Sequence, residues 1–171
     1  MNLPLELKYL NIGCGATFDN RWINLDLVPQ SVHVRQHDLT KGLPFEEGSI
    51  EACYSSHLLE HLTRSKAIEL INDQFRVLRS GGIIRIVVPD LETICTNYIR
   101  YLAEAKAGVD GGEFRYHYSL LELIDQIVRS TSGGEMATIW ASVVGEENEY
   151  VLERHGEEFR RFLRNRTHNF G

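Results

Sequence analysis

The chain has 171 residues, of which 43% are hydrophobic and 25% are charged, and it contains 14 Gly and 4 Pro. This size and balance predict one folded domain and exclude a disordered, collagen-like or low-complexity chain. The formal net charge of -6 supplies no field for holding a polyanion, so we expect no nucleic-acid partner.

The cysteines and the hydropathy indicate a reducing compartment. Cys14, Cys53 and Cys95 form no C-x-x-C pair, so we expect neither a disulfide framework nor a cysteine zinc site. The first residues lack the basic start and apolar run of a signal peptide, and no stretch approaches the ~18 apolar residues of a membrane span. We therefore expect a cytoplasmic protein that does not cross a membrane.

The first half of the chain predicts alternating strands and helices. Short apolar or alternating runs predict four strands, at residues 5–12, 22–26, 32–36 and 50–56. Apolar residues at helical spacing predict a helix over residues 65–79, with Gly81 and Gly82 as its stop. Residues 83–88 are rich in β-branched side chains and run into Pro89, which predicts a fifth strand. Strands that alternate with helices indicate a parallel sheet.

The second half predicts helices. Asp90 is placed to cap a helix that ends near Gly108. Further helices are predicted over residues 118–130 and 148–164, the latter in spite of a glycine at position 156. Residues 136–144 fit either a strand or a helix, and they are the only candidate for a strand after the fifth.

A glycine turn and two acids mark the carboxyl edge of the predicted sheet. Gly13, Cys14 and Gly15 follow the first strand, where it should hand over to a helix whose positive end favours a ligand. Asp26 and Asp38 end the next two strands. Open α/β sheets bind ligands at this edge, where one carboxylate can accept both hydroxyls of a ribose and a second can accept from a base amino group. Together these features predict a site for a nucleoside-type ligand.

Six motifs follow one another in a fixed order between residues 9 and 91. They are L-N-I-G-C-G at 10–15, N-L-D at 24–26, H-D-L at 37–39, L-P-F at 43–45, S-S-H-L-L-E-H-L at 55–62 and R-V-L-R-S-G-G at 76–82. Their order and spacing resemble the class I S-adenosylmethionine-dependent methyltransferases, in particular the small type-11-like group. The resemblance covers about half of the chain.

This resemblance implies a fold. We expect an α/β architecture with a doubly wound, mainly parallel sheet in the order 3-2-1-4-5. Residues 1–90 would form the Rossmann-like core that binds S-adenosylmethionine. Residues 91–171 would form a helical appendage of the same domain, serving as a substrate or assembly region.

The resemblance also implies roles for individual residues. Gly13 and Gly15 would flank the methionine part of the cofactor, and Asp26 would hold its ribose. Asp38 would bind the adenine. The full implied cofactor set is Asn11, Gly13, Cys14, Gly15, Asp26, Leu27, Asp38, Leu39 and Ser56.

The chain departs from the family pattern in two ways. The acid common two residues before the first glycine is Asn11 here, and a third glycine is replaced by Thr17, which predicts a weaker grip on the cofactor's amino group. The closing sixth and seventh strands are missing or atypical. We expect a natural short form, a truncated form, or a chain whose open sheet edge pairs with a second copy in a homodimer.

Methyl transfer depends mainly on positioning, but a hydroxyl or ammonium acceptor must also lose a proton. His57 and His61 are the candidate catalytic residues, because histidine is best poised for proton transfer near neutral pH. His57 and Asp90 are candidates for acceptor binding, although capping alone would account for Asp90. By family analogy, the expected acceptor is a hydroxyl of a small molecule or glycan.

Two alternatives stay open. Residues 57–61 match H-x-x-E-H, in which two histidines hold zinc and the glutamate serves as base. That reading needs a third ligand from Glu135, Glu146 or Glu147 and leaves the glycine turn unexplained, so we predict no metal site. The other alternative is a noncatalytic module that retains the nucleoside pocket, or only the fold, as an assembly surface.

Overall fold

The computed structural model describes residues 8–128 and 134–168. The chain divides into two compact units, Met1–Pro89 and Asp90–Gly171. That these units belong to one domain stays a prediction. Residues 5–7 of the predicted first strand, and the last two residues of the helix predicted over 118–130, lie outside the described residues.

The first unit is built on a five-stranded parallel sheet in the order β3-β2-β1-β4-β5, which confirms the predicted fold class and strand order. The strands are β1 (Tyr9–Ile12), β2 (Ile23–Asp26), β3 (Val34–Gln36), β4 (Ile50–Ser56) and β5 (Leu78–Val87). Every pairing is parallel, so all five carboxyl ends meet at one edge of the sheet. The residues that follow the strands therefore lie at this edge.

One face of the sheet packs on helix α1 (Arg64–Val77). The helix begins where the Thr63 hydroxyl accepts from the amide of Lys66, as expected of an N-cap. The buried core of this unit consists of Leu10, Ile12, Leu25, Leu43, Ile50, Cys53, Leu70 and Val77. This packing holds β1, β2 and β4 in place beneath the edge that carries the predicted site.

The connections on either side of β2 contain no helix. Residues 13–22 join β1 to β2, and residues 27–33 join β2 to β3, through turns and irregular backbone. The prediction that the first strand hands over to a helix is wrong, because so short a connection has no room for a helix and its two flanking turns. The glycine turn therefore has no helix dipole behind it.

Strand β5 begins earlier than predicted. Helix α1 ends at Val77 and β5 starts at the next residue, so Gly81 and Gly82 lie within the strand and do not stop the helix. The register against β4 shifts between Ile50 and Ala52, so this part of β5 pairs irregularly. The φ of 78° at Gly81 is a conformation that favours glycine there.

The described part of the second unit is helical. Its helices are α2 (Leu91–Lys106), α3 (Gly112–Val128), α4 (Gly134–Ser142), α5 (Gly145–His155) and α6 (Glu157–His168). Within residues 90–128 and 134–168 there is therefore no sixth or seventh strand, and residues 136–144 are mostly helical. The single helix predicted over 148–164 is wrong, because Gly156 at a φ of 54° separates α5 from α6. In the described part of the chain, no helix is long and apolar enough to cross a bilayer.

Candidate functional site

The glycine turn is tied to the neighbouring strand by its backbone. The amides of Gly13 and Cys14 both donate to the carbonyl of Leu25, at 2.9 and 3.2 Å, and the amide of Thr17 donates to the carbonyl of Cys14 at 2.9 Å. Gly13 has a φ of 65°, a conformation that favours glycine. The turn is thus held against the end of β2 by main-chain bonds.

Asp26 lies at this edge as the last residue of β2. Its Oδ2 accepts from the amide of Gly15 at 2.7 Å, and its Oδ1 accepts from the amide of Val28 at 3.0 Å. Each carboxylate oxygen has a further lone pair, which leaves room to accept from the hydroxyls of a ribose. Beside it, the side chain of Leu27 is 59% exposed, which provides an apolar surface next to the acid.

The Asn11 side chain is buried, and its hydrogen bonds hold the loop that follows β1. Its side chain is only 6% exposed, and its amide donates to the carbonyl of Thr17 at 3.1 Å and to Oδ1 of Asn24 at 3.2 Å. Asn24 in turn donates to the carbonyls of Asp19 and Trp22. This network holds the helix-free connection between β1 and β2 over the sheet.

Asp38 caps the short 3₁₀ helix Leu39–Lys41 that follows β3. Its Oδ1 accepts from the amide and the hydroxyl of Thr40, at 3.0 and 2.7 Å, and these two bonds lower the pKa of the Asp38 carboxyl. The predicted partner Leu39 packs against the core of the first unit. Leu27 is the more exposed of the two apolar side chains proposed for the cofactor site.

Cys14 and Ser56 occupy sheltered positions at the same edge. Cys14 is buried, and burial together with the nearby charge of Asp26 raises the pKa of its thiol to about 11, so it stays protonated near neutral pH. Ser56 ends β4 opposite Val87 of β5 and is half-buried. Neither position indicates a reactive side chain.

The segment after β4 reaches the glycine turn through Leu58. A Cβ placed on Gly13 would lie 2.8 Å from Cδ1 of Leu58, so the two residues are in close contact. The preceding residue, His57, has a φ of 51°, and its amide donates to the carbonyl of Val87 at 3.0 Å. The structure thus brings His57 and the glycine turn to the same edge of the sheet.

His57 is paired with Glu60. Nδ1 of His57 lies 3.2 Å from Oε1 of Glu60, and the histidine side chain is 45% exposed whereas that of the glutamate is 18% exposed. Burial acts to raise the pKa of Glu60, but the adjacent His57 imidazole, the residue's own amide and the charge of His61 outweigh it and leave the pKa lowered. Glu60 is therefore ionised at neutral pH.

The geometry of residues 57–61 does not fit a zinc peptidase. His57 precedes a 3₁₀ helix, Leu59–His61, in a left-handed conformation, so the two histidines do not share one turn of an α-helix. Among residues 8–128 and 134–168, no three His, Cys, Asp or Glu side chains cluster in a way that could hold a metal ion.

Asp90 begins α2 as its N-cap. Its Oδ1 accepts from the amide of Thr93 at 3.1 Å and its Oδ2 accepts from the hydroxyl of Thr93 at 2.7 Å. These bonds lower the pKa of Asp90 and account for an acid at this position. A role in acceptor binding stays a prediction.

This part of the chain matches a known protein family. Residues 10–86 match the family model of a methyltransferase domain, a match that runs from β1 into β5. This segment is a class I S-adenosylmethionine-dependent methyltransferase domain. The resemblance seen in the six motifs is thereby confirmed. A comparison with curated proteins found no match.

The residues of this methyltransferase domain fit the cofactor that members of the family typically use, S-adenosylmethionine. Gly15 borders open space, since a Cβ built there would meet nothing within 4 Å. Asp26 supplies acceptors for hydroxyls, and Leu27 supplies an exposed apolar surface for a base. When bound, S-adenosylmethionine supplies an electrophilic methyl group on a sulfonium.

Leu58 and Glu60 lie close to predicted site residues, Gly13 and His57, but were not themselves predicted as methyltransferase site residues. The contact of Leu58 with Gly13 joins segments far apart in the chain, and no local pattern indicates it. The sequence gives a weak indication that Glu60 pairs with His57, because side chains three residues apart can meet on a helical turn.

Proposed function

We propose that this chain binds S-adenosylmethionine at the edge formed by the glycine turn, Asp26 and Asp38, and transfers its methyl group to a hydroxyl of a small molecule or glycan. The observation that carries the proposal is the Asp26 carboxylate, which joins the glycine turn to the loop after β2 and lies beside an exposed apolar side chain. A ribose with a base attached matches this pairing of acceptors and apolar surface.

Calorimetric titration with S-adenosylhomocysteine tests the binding site. We expect micromolar binding by the wild type, and a loss of at least about tenfold in Leu27→Ser, which removes exposed apolar surface without touching the core. Asp26→Ala and Asp38→Ala should also weaken binding. Asp19→Ala is the matched control, because this exposed acid pairs with Arg21 in the β1–β2 connection.

Failure of the folded wild type to bind, or equal binding by all variants, would overturn the proposal. Binding by the wild type would justify a screen of hydroxyl acceptors with S-adenosylmethionine. The net charge of -6 argues against a nucleic-acid acceptor and does not otherwise indicate the acceptor class.

A noncatalytic module is the second candidate, and the connection between β1 and β2 favours it. That connection lacks the helix expected behind a cofactor-binding turn. Such a module would pair copies through β5, which in the described sheet bonds only to β4. Absence of S-adenosylhomocysteine binding together with a dimer in sedimentation analysis would support this candidate.

A further inference from the structure

His57 is held in an unusual backbone conformation. Among the described residues it alone combines a side chain with a positive φ, here 51°. Ser56 before it is fixed in β4, and the His57 amide is fixed by the carbonyl of Val87 at 3.0 Å. Such conformations persist where the surrounding structure determines them, and they cluster at functional sites.

The conformation places the imidazole against a shielded carboxylate. Nδ1 of His57 lies 3.2 Å from Oε1 of Glu60, and both carboxylate oxygens of Glu60 are shielded from solvent. Neither oxygen has a hydrogen-bond partner of good geometry in the described part of the chain, and the facing His57 imidazole is the group placed to donate to this shielded carboxylate. The imidazole side chain itself remains 45% exposed.

We propose that Glu60 is a positioning residue for a histidine base: it accepts from Nδ1–H of His57, so that Nε2 takes the proton of the acceptor hydroxyl. This rests on the proposed methyl transfer. The acceptor O–H bond breaks as its proton goes to Nε2, and the oxygen's electron pair forms the new bond to the methyl carbon. The electron pair of the carbon–sulfur bond leaves with the sulfur, and the imidazolium is stabilised by the Glu60 carboxylate.

The tautomer of His57 tests the positioning role without any acceptor. In protein labelled with ¹⁵N-histidine, the ring-nitrogen shifts of neutral His57 should report a proton on Nδ1. Glu60→Ala, which removes the acceptor altogether, should lose this preference and lose the stabilisation of the imidazolium on titration. Glu69→Ala is the matched control, because Glu69 is an exposed acid of α1 paired with Lys66.

S-adenosylhomocysteine titration of the same samples separates the two proposals. Binding by the wild type with an Nδ1–H tautomer that Glu60→Ala loses supports both proposals. Binding with a proton on Nε2 in neutral wild-type His57, or an unchanged tautomer in Glu60→Ala, overturns the positioning role alone. Absence of binding by the folded wild type overturns methyl transfer, and the role of His57 as its base with it. The tautomer of wild-type His57 decides the positioning role by itself, so misfolding of Glu60→Ala would still leave the proposal testable.

Discussion

The amide of Gly15 donates to Oδ2 of Asp26 at 2.7 Å, and this bond joins the glycine turn to the end of β2. The other oxygen of the same carboxylate accepts from the amide of Val28 at 3.0 Å. One side chain therefore organises both loops that border the proposed cofactor site.

Asp26→Asn tests the structural role. An asparagine offers one oxygen and one NH₂ group, so it can accept from only one of the two amides and places a donor against the other. We expect the free energy of unfolding to fall by about 1 to 3 kcal/mol, measured by urea denaturation. Asp19→Asn, which changes an exposed ion pair with Arg21, should have a smaller effect. Equal stability of Asp26→Asn and the wild type would contradict the bonding described.

Gly13→Ala tests the contact between the glycine turn and the segment after β4. The new methyl group would combine a φ of 65° with a distance of 2.8 Å to Cδ1 of Leu58. We expect a loss of about 1 to 2 kcal/mol from the left-handed conformation and about 1 to 3 kcal/mol from overpacking. Gly15→Ala, at a φ of 52° with nothing within 4 Å, should show only the first effect.

The double variant Gly13→Ala, Leu58→Ala completes a thermodynamic cycle for this contact. If the overpacking is real, removing the leucine should cost less in the Gly13→Ala background than in the wild type. Additive losses in urea denaturation would show that the two side chains do not meet.

The sheet could be predicted from the sequence because its signals are local. The strand over residues 50–56 and the cap at Asp90 follow from alternation and from one side chain's hydrogen-bonding capacity. The order of the strands followed from the family motifs and the rule that ligands gather at the carboxyl edge of such sheets. Neither required knowledge of long-range packing.

The errors arose where glycine has several uses. Gly81 and Gly82 are predicted to stop a helix but lie in an irregularly paired part of β5, whereas Gly156, predicted to be tolerated within a helix, ends one. Glycines with a positive φ occur both at helix ends and in irregular parts of strands. The presence of a glycine in the sequence therefore does not tell which of the two it marks. The burial of the Asn11 side chain could not be predicted from local sequence either, because its hydrogen-bond partner Asn24 lies on the next strand.

Asn11→Asp tests whether this chain tolerates the acid that is common at this position in the family. The Asn11 amide donates to the carbonyl of Thr17 and to Oδ1 of Asn24, so a carboxylate there would face two oxygens while 6% exposed. We expect a loss of more than about 3 kcal/mol in the free energy of unfolding at neutral pH, with a smaller loss in Asn11→Ala. Tighter binding of S-adenosylhomocysteine by a stable Asn11→Asp would show instead that the amide merely weakens the cofactor site.

The burial of Glu122 in α3 predicts that the stability of the helical second unit depends on pH. It is 8% exposed, and Nε of Arg154 donates to its Oε1 at 2.8 Å. Burial raises the pKa of Glu122 in spite of that partner. The native state therefore binds a proton more readily than the unfolded chain, and stability falls as the pH rises from the ordinary pKa of glutamate through the raised one.

Glu122→Gln removes this dependence. The unfolding free energy of the variant minus that of the wild type should increase as the pH rises through that interval and become constant above it, in urea denaturation at a series of pH values. Other titratable groups lie near this carboxylate: Nε2 of His155 is 3.7 Å from Oε1 of Glu122, and burial, with a contribution from the Glu122 charge, raises the pKa values of Tyr118 and Tyr150. The ¹³C shift of the Glu122 carboxyl assigns the change to Glu122 and not to His155. A difference that stays constant with pH would show that the carboxylate is charged over the whole range.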